Sequence, residues 1–236
     1  MTSVERILLV AALALPMTAC GDDAVGDGSG TADDMSVIDV DMDTGGGPGT
    51  CDEYAMCGGI GDCGGNVGLR LPPLQAALPG CNGSTNFEFP GADWCNAEVT
   101  VLIGAAEWCG PCRTESTVLR DNLLEVFRGQ PVRVVQVLTQ NIDFGVADQA
   151  ACDRWIDDFY TADGFGTDDF AAPGQFSLVL DPDGLTRVYE FNALPNTLIL
   201  DGDGIIAARL TGLEPVGSDP IGGLVERIQA LLDGAE

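Results

Sequence analysis

The chain has 236 residues and carries 10 basic against 37 acidic side chains, a net charge of −27, with no His. All ten basic residues are Arg, so Ser-His-Asp and Cys-His catalysis, His-ligated zinc or copper, and a lysine Schiff base are excluded. The acidic excess repels phosphate backbones and argues against nucleic acid as a partner. Nine cysteines point to an oxidising compartment.

Residues 1–19 read as an export signal, in which Arg6 precedes the apolar run Ile7 to Leu15. That run has the length of a signal core and is too short to span a bilayer. Its end, Met17-Thr18-Ala19-Cys20, resembles the lipobox of bacterial lipoproteins. The resemblance implies cleavage before Cys20, lipidation of that residue and anchoring on the periplasmic side of a bacterial membrane. Gly21, where an Asp would favour the inner membrane, tips the preference to the outer one. Ordinary cleavage after Ala19, with Cys20 incidental, is the alternative. Residues 20–50 combine eight Asp with Gly and Ser and have no basic residue. They cannot bury enough apolar area to offset ordering entropy and are expected to form an acidic disordered tether. Asp39, Asp41 and Asp43 imitate the start of a calcium loop. Thr44 and Thr50 stand where such a loop needs Gly and Glu, so no metal site is assigned.

Residues 51–67 hold Cys51, Cys57 and Cys63 in a Gly-rich stretch and read as a Cys-rich N-terminal extension. The folded domain is expected over 68–236. Phe87 to Phe89 reads as a strand, and Val99 to Ala106 as a strand buried on both faces. A helix is expected over 113–128, where Val118, Leu119, Leu123, Val126 and Phe127 recur at helical spacing. Val132 to Leu138 is a second buried strand, Ala147 to Tyr160 a helix, Gly164 to Gly174 a loop, and Phe176 to Leu180 a third strand. Asp183 is the expected N-cap of a short helix reaching Phe191. Two strands, 197–200 and 205–210, flank a turn at Asp201-Gly202-Asp203-Gly204, and an amphipathic helix over 224–232 closes the chain. Strand-helix-strand followed by helix-strand-strand-helix places the domain in the α/β class, with both faces of its sheet covered.

The chemistry concentrates at Trp108-Cys109-Gly110-Pro111-Cys112, between a buried strand and a helix. Cys109 sits at the helix N-terminus, where unpaired N–H groups and the dipole stabilise a thiolate. Cys112, one turn on, can resolve a mixed disulfide, and Pro111 is tolerated in the first turn. Zinc would need a second pair of ligands, which the other cysteines do not offer at suitable spacing.

Ala106-Glu107-Trp108-Cys109-Gly110-Pro111-Cys112-Arg113 resembles the active-site stretch of thioredoxins, and Leu194-Pro195-Asn196-Thr197 their second mark, a cis-proline before a strand. The run from Phe176 through Gly204 is similar to the exported, membrane-anchored TlpA/ResA-like branch. The similarity covers roughly 68–232, with one inserted helix around Cys152. It implies a thioredoxin-like three-layer α/β/α fold with a central mixed sheet and thiol-disulfide exchange without a cofactor. Cys109 and Cys112 are then the catalytic pair, and Trp108, Gly110, Pro111, Leu194 and Pro195 hold the substrate. The implied partners are protein thiol or disulfide clients and, for a reductase, a membrane electron donor. The Gly-Pro dipeptide resembles that of reducing thioredoxins and favours a reductant. Two family features are missing: Ile103 replaces the buried Asp six residues before the first cysteine, and Ala105 replaces an aromatic. Glu107 is the nearest carboxylate to the motif and reads as solvated, which leaves the general acid unassigned.

Besides these, Cys51, Cys57, Cys63, Cys81, Cys95 and Cys152 form an even set of structural disulfide candidates. Cys81 is expected to pair with Cys95 across Phe87 to Phe89, and Cys152 with one of the N-terminal three. The competing function is a redox-inert binding or structural lipoprotein whose Cys109–Cys112 bond is permanent. A peroxidase would need a Pro-x-x-x-Thr-x-x-Cys setting, which no cysteine here has.

Overall fold

The structure, a computed structural model, describes residues 63–81, 84, 86–160 and 175–234. The export signal, Cys20, the acidic tether, Cys51, Cys57 and the loop expected at 164–174 lie outside these residues. Five strands form one sheet: β1 (Val99–Ala106), β2 (Val132–Gln140), β3 (Phe176–Leu180), β4 (Asn196–Leu200) and β5 (Ile206–Thr211). Their order is β3-β2-β1-β4-β5. The β1–β2 and β2–β3 pairs are parallel, and the β1–β4 and β4–β5 pairs antiparallel. The largely apolar composition of β1 follows from its place: it is the central strand, and all eight of its residues are buried.

Alternation along the strands divides the core between the two faces. Val101, Ile103, Val134 and Ile199 pack with α2 (Gly110–Leu119), α3 (Gln149–Phe159) and α4 (Gly222–Leu232). Leu102, Val135, Val137, Leu198 and Leu200 face the opposite way, onto Leu71, Leu78, Phe87, Phe89, Trp94 and Tyr189. That second layer is thin, built from the chain over 71–89, the short α1 (Ala92–Cys95) and a 3-10 helix at Leu185–Tyr189. Among the described residues no helix is long and apolar enough to cross a membrane.

Several expectations need correction. The helix over 113–128 is α2 followed by a π-helical turn at Arg120–Leu124, closed by the Glu125 N–H donating to the Arg120 carbonyl. The wider turn leaves Leu119, Leu123, Leu124 and Phe127 all buried. Phe87 to Phe89 is no strand: Phe87 and Leu78 exchange both backbone hydrogen bonds as an isolated bridge. Asp183 does not cap the short helix. Gly184 occupies the cap position at φ 66°, and the Asp181 carboxylate instead accepts from the Thr186 N–H and hydroxyl. At the β4–β5 turn Asp201 accepts from the N–H groups of Asp203 and Ile205, and Gly204 takes the left-handed conformation the turn requires.

The expected Cys81–Cys95 pairing is also overturned, because Cys81 is bonded to Cys152. The two halves of the expected pair belong to opposite faces of the sheet. Residues 79–81 run along the outer edge of β3, with the Leu180 N–H donating to Pro79 and the Cys81 N–H to Leu178. This brings Cys81 beneath α3, which carries Cys152, in the core of the first face. Cys95 ends α1 and packs into the core of the second. Cys63 and Cys95 are each disulfide-bonded as well.

Candidate redox site

The Cys109-Gly110-Pro111-Cys112 motif lies at the C-terminal end of β1, where the chain turns into α2. Cys109 is the N-cap of α2, Pro111 falls in its first turn, and the Cys109 sulfur accepts from the Cys112 N–H at 3.2 Å. The two sulfurs are joined at 2.03 Å. Cys109 is 2 % exposed and Cys112 wholly buried, so any approach to the bond from solvent meets Cys109. Gly110 and Pro111 are exposed beside it.

Across the site, the Leu194–Pro195 peptide is cis. Pro195 is buried at the start of β4, whose Asn196 faces Gly104 of β1. Half-buried Leu194 packs against the cluster that contains both motif cysteines. Its backbone N–H and carbonyl make no hydrogen bond among the described residues. Gly104 is required here, since a Cβ on it would lie 2.7 Å from the Phe191 ring. Ile103 and Ala105 are fully buried, so β1 offers no acid to the pair.

Trp108 forms the opposite rim, 37 % exposed. Its indole N–H donates to Gln140 at 2.9 Å, and its ring stacks on Phe144 at 5.1 Å. Glu107 is not solvated as its sequence position suggested. It is 3 % exposed, accepts from Arg154 of α3 through both oxygens and from the Ile142 N–H at 2.8 Å. The Arg154 hydrogen bonds hold its carboxyl below the usual carboxylate range, so it stays ionised and is no proton donor. On the other flank, Arg113 pairs with Asp158 of α3 at 2.7 Å and lies over the Phe159 ring. Helix α3 thus grips the motif from both sides.

Sequence reasoning missed Glu115. Cys112, Glu115, Ser116 and Leu119 make the buried stripe of α2, so this carboxylate lies one turn beyond Cys112 on the same face. One of its oxygens is buried without a hydrogen-bond partner, and burial pushes its pKa up to about 7. An acidic residue on the apolar face of a predicted helix is a signal that could have found it. Ser116 continues the polar interior: it accepts from Gln136, whose oxygen accepts in turn from Trp155 and Tyr160 of the α3 segment.

A structure from Chlorobium tepidum, named as thiol:disulfide interchange protein DsbE, superposes on 71 % of this chain and 98 % of its own, at a TM-score of 0.51 and 23 % identity. Taken with the strand order and the cis-proline just before β4, this decides the architecture. The fold is thioredoxin-like. A solution structure from Bacteroides thetaiotaomicron, named as a protein disulfide isomerase, shares this thioredoxin-like fold at a TM-score of 0.50 and 13 % identity, over 71 % of this chain and 91 % of that one. No family model matches the sequence, and no curated protein matches it.

Proposed function

We propose that the protein is an extracytoplasmic thiol-disulfide oxidoreductase, lipid-anchored through Cys20, that exchanges disulfides with protein clients and acts as their reductant. The observation that carries this reading is the Cys109–Cys112 disulfide at the start of α2, with only Cys109 reaching the surface. In the reduced protein the Cys109 thiolate attacks one sulfur of a client disulfide. That bond breaks, the distal client sulfur leaves as a thiolate, and a mixed disulfide forms. The Cys112 thiol loses its proton and attacks the Cys109 sulfur. The second client thiolate leaves, the client is reduced by two electrons, and the Cys109–Cys112 bond is restored. A membrane electron donor resets the pair.

Glu115 is placed to take the Cys112 proton, because a pKa near 7 lets a carboxylate both accept and return one at neutral pH. Electrostatics supports this direction. A potent oxidant stabilises its thiolate form; here a buried acid lies beside Cys112, and the cation following the motif, Arg113, is already paired with Asp158. Both features favour the disulfide and hence a low potential. The near-complete burial of the pair, the missing acid at Ile103 and the Cys-rich N-terminal extension stand on the side of a redox-inert lipoprotein.

Trapping separates the readings. Cys112→Ser leaves the attacking sulfur without a resolver and is expected to accumulate mixed disulfides, visible on non-reducing gels and by mass spectrometry. Cys109→Ser is expected to trap none. Equal trapping by both, or by neither, removes the assigned roles.

A further inference from the structure

The loop between β2 and α3 does more than connect them. Phe144 lies at φ 63°, a conformation a bulky aromatic avoids unless its surroundings impose it, and is 67 % exposed. The imposing contacts are local: the Asn141 side chain accepts from the N–H groups of Asp143 and Gly145 and donates to the Val146 carbonyl, while Glu107 holds Ile142. The result is an aromatic platform, Phe144 on Trp108, fixed in the open beside the redox pair. Ile142 and Val146, 50 % and 56 % exposed, extend it. Beside it opens a groove of about 490 Å³, whose lining includes Phe144, Val146, Leu194, Asp183, Arg187 and Glu190. The carboxylates of Asp183 and Glu190 make no hydrogen bond or ion pair among the described residues.

We propose that this groove recognises the stretch of an extended client polypeptide flanking its reactive cysteine, taking an apolar side chain against Phe144 and a basic one towards Asp183 and Glu190. The inference rests on the oxidoreductase reading and specifies its substrate class. Three observations select the occupant. The groove is lined by Phe144, whose ring stacks on Trp108 next to Cys109, and by Leu194, the residue before the cis-proline. The backbone of Leu194 offers an unused donor and acceptor, which suit an extended chain rather than a folded surface. The lining carries three carboxylates, Asp181, Asp183 and Glu190, against one cation, Arg187, within a chain of net charge −27, so a cationic segment is attracted and an anionic one repelled.

The test measures binding and exchange separately on the full chain. Two short labelled peptides carry Phe beside Ser in the cysteine position, one flanked by Arg and the other by Glu, so neither can react. By fluorescence anisotropy the Arg peptide is expected to bind about tenfold tighter at low salt, with the preference shrinking as salt rises. The double variant Asp183→Asn/Glu190→Gln should reduce the preference to about twofold, and Phe144→Ala should weaken binding of the Arg peptide about fivefold. Equal affinities in the unmodified protein overturn the proposal. So does a preference that survives the double variant, which would come from the overall field of the chain. The same peptides with Cys restored, as disulfides, report exchange: binding preference without exchange refutes the oxidoreductase reading alone, and exchange without preference refutes the groove alone.

Discussion

Glu115 shows how one side chain couples the stability of this protein to its chemistry. Burial raises its pKa from an ordinary 4.5 to about 7, so between those values the folded protein keeps a proton that the unfolded chain has released. Stability therefore falls as pH rises through that window and is lower above it. Glu115→Gln removes the loss: relative to the unmodified protein it should gain up to about 3 kcal/mol near pH 8 and almost nothing below about pH 4.5. Urea unfolding at the two pH values checks this, and parallel curves would contradict it. The same substitution should slow resolution of the mixed disulfide and flatten its pH dependence near neutrality, as expected if Cys112 loses its proton to this group. Glu107 behaves oppositely. Its lowered pKa is a stabilising contribution present above the unfolded value and lost as pH falls through the folded one.

At the scale of elements, α3 sets the frame around the motif. It contacts Glu107, before Trp108, through Arg154; Arg113, after Cys112, through Asp158; and the edge of the sheet through Cys81–Cys152. Arg154→Ala leaves the Glu107 carboxylate buried with Ile142 as its remaining described partner. The expected cost is about 1–3 kcal/mol in chemical unfolding. Replacing Cys81 and Cys152 together by Ala opens a cross-link spanning 71 residues. That should cost about 2–4 kcal/mol, with the five-stranded sheet retained in the far-ultraviolet circular dichroism spectrum. No loss of stability would mean that hydrophobic packing of Trp155 and Ile156 alone holds the helix.

The elements that sequence made legible are those whose patterning is local. The β-branched, largely apolar run of β1 announced a strand buried on both faces, and Cys109 and Pro111 announced the start of α2. Asp201-Gly202-Asp203-Gly204 announced the turn between β4 and β5. What remained hidden depends on contacts between distant segments. The π turn after Leu119 reflects which leucines the core accepts, and the Cys81–Cys152 bond depends on residues 79–81 lying along β3. The ion pair of Glu107 needs a partner 47 residues away. Trp108 and Pro195 could be read from motif and resemblance. Glu115 left a signal, an acid on the apolar face of a predicted helix, whereas Phe144 left none, because an exposed aromatic in a loop acquires meaning only beside the cysteine pair.

For the molecule as a whole, an acidic chain without His or Lys has few means of stabilising a thiolate, and the fold directs what it has to one end of α2. The N-terminus of that helix serves Cys109, a buried acid serves Cys112, and the flanking arginines are paired with carboxylates of their own. On the proposed reading as a reductant, the buried acid and the paired arginines outweigh the helix N-terminus and favour the disulfide. The most direct test is the reduction potential of Cys109–Cys112, equilibrated against dithiothreitol and glutathione buffers in the folded protein. The account predicts a potential near about −270 mV, in the range of reducing thioredoxins, and loss of exchange in Cys109→Ser. A potential near about −120 mV would make the protein an oxidant, and a pair that opens only when the domain unfolds would contradict redox function altogether.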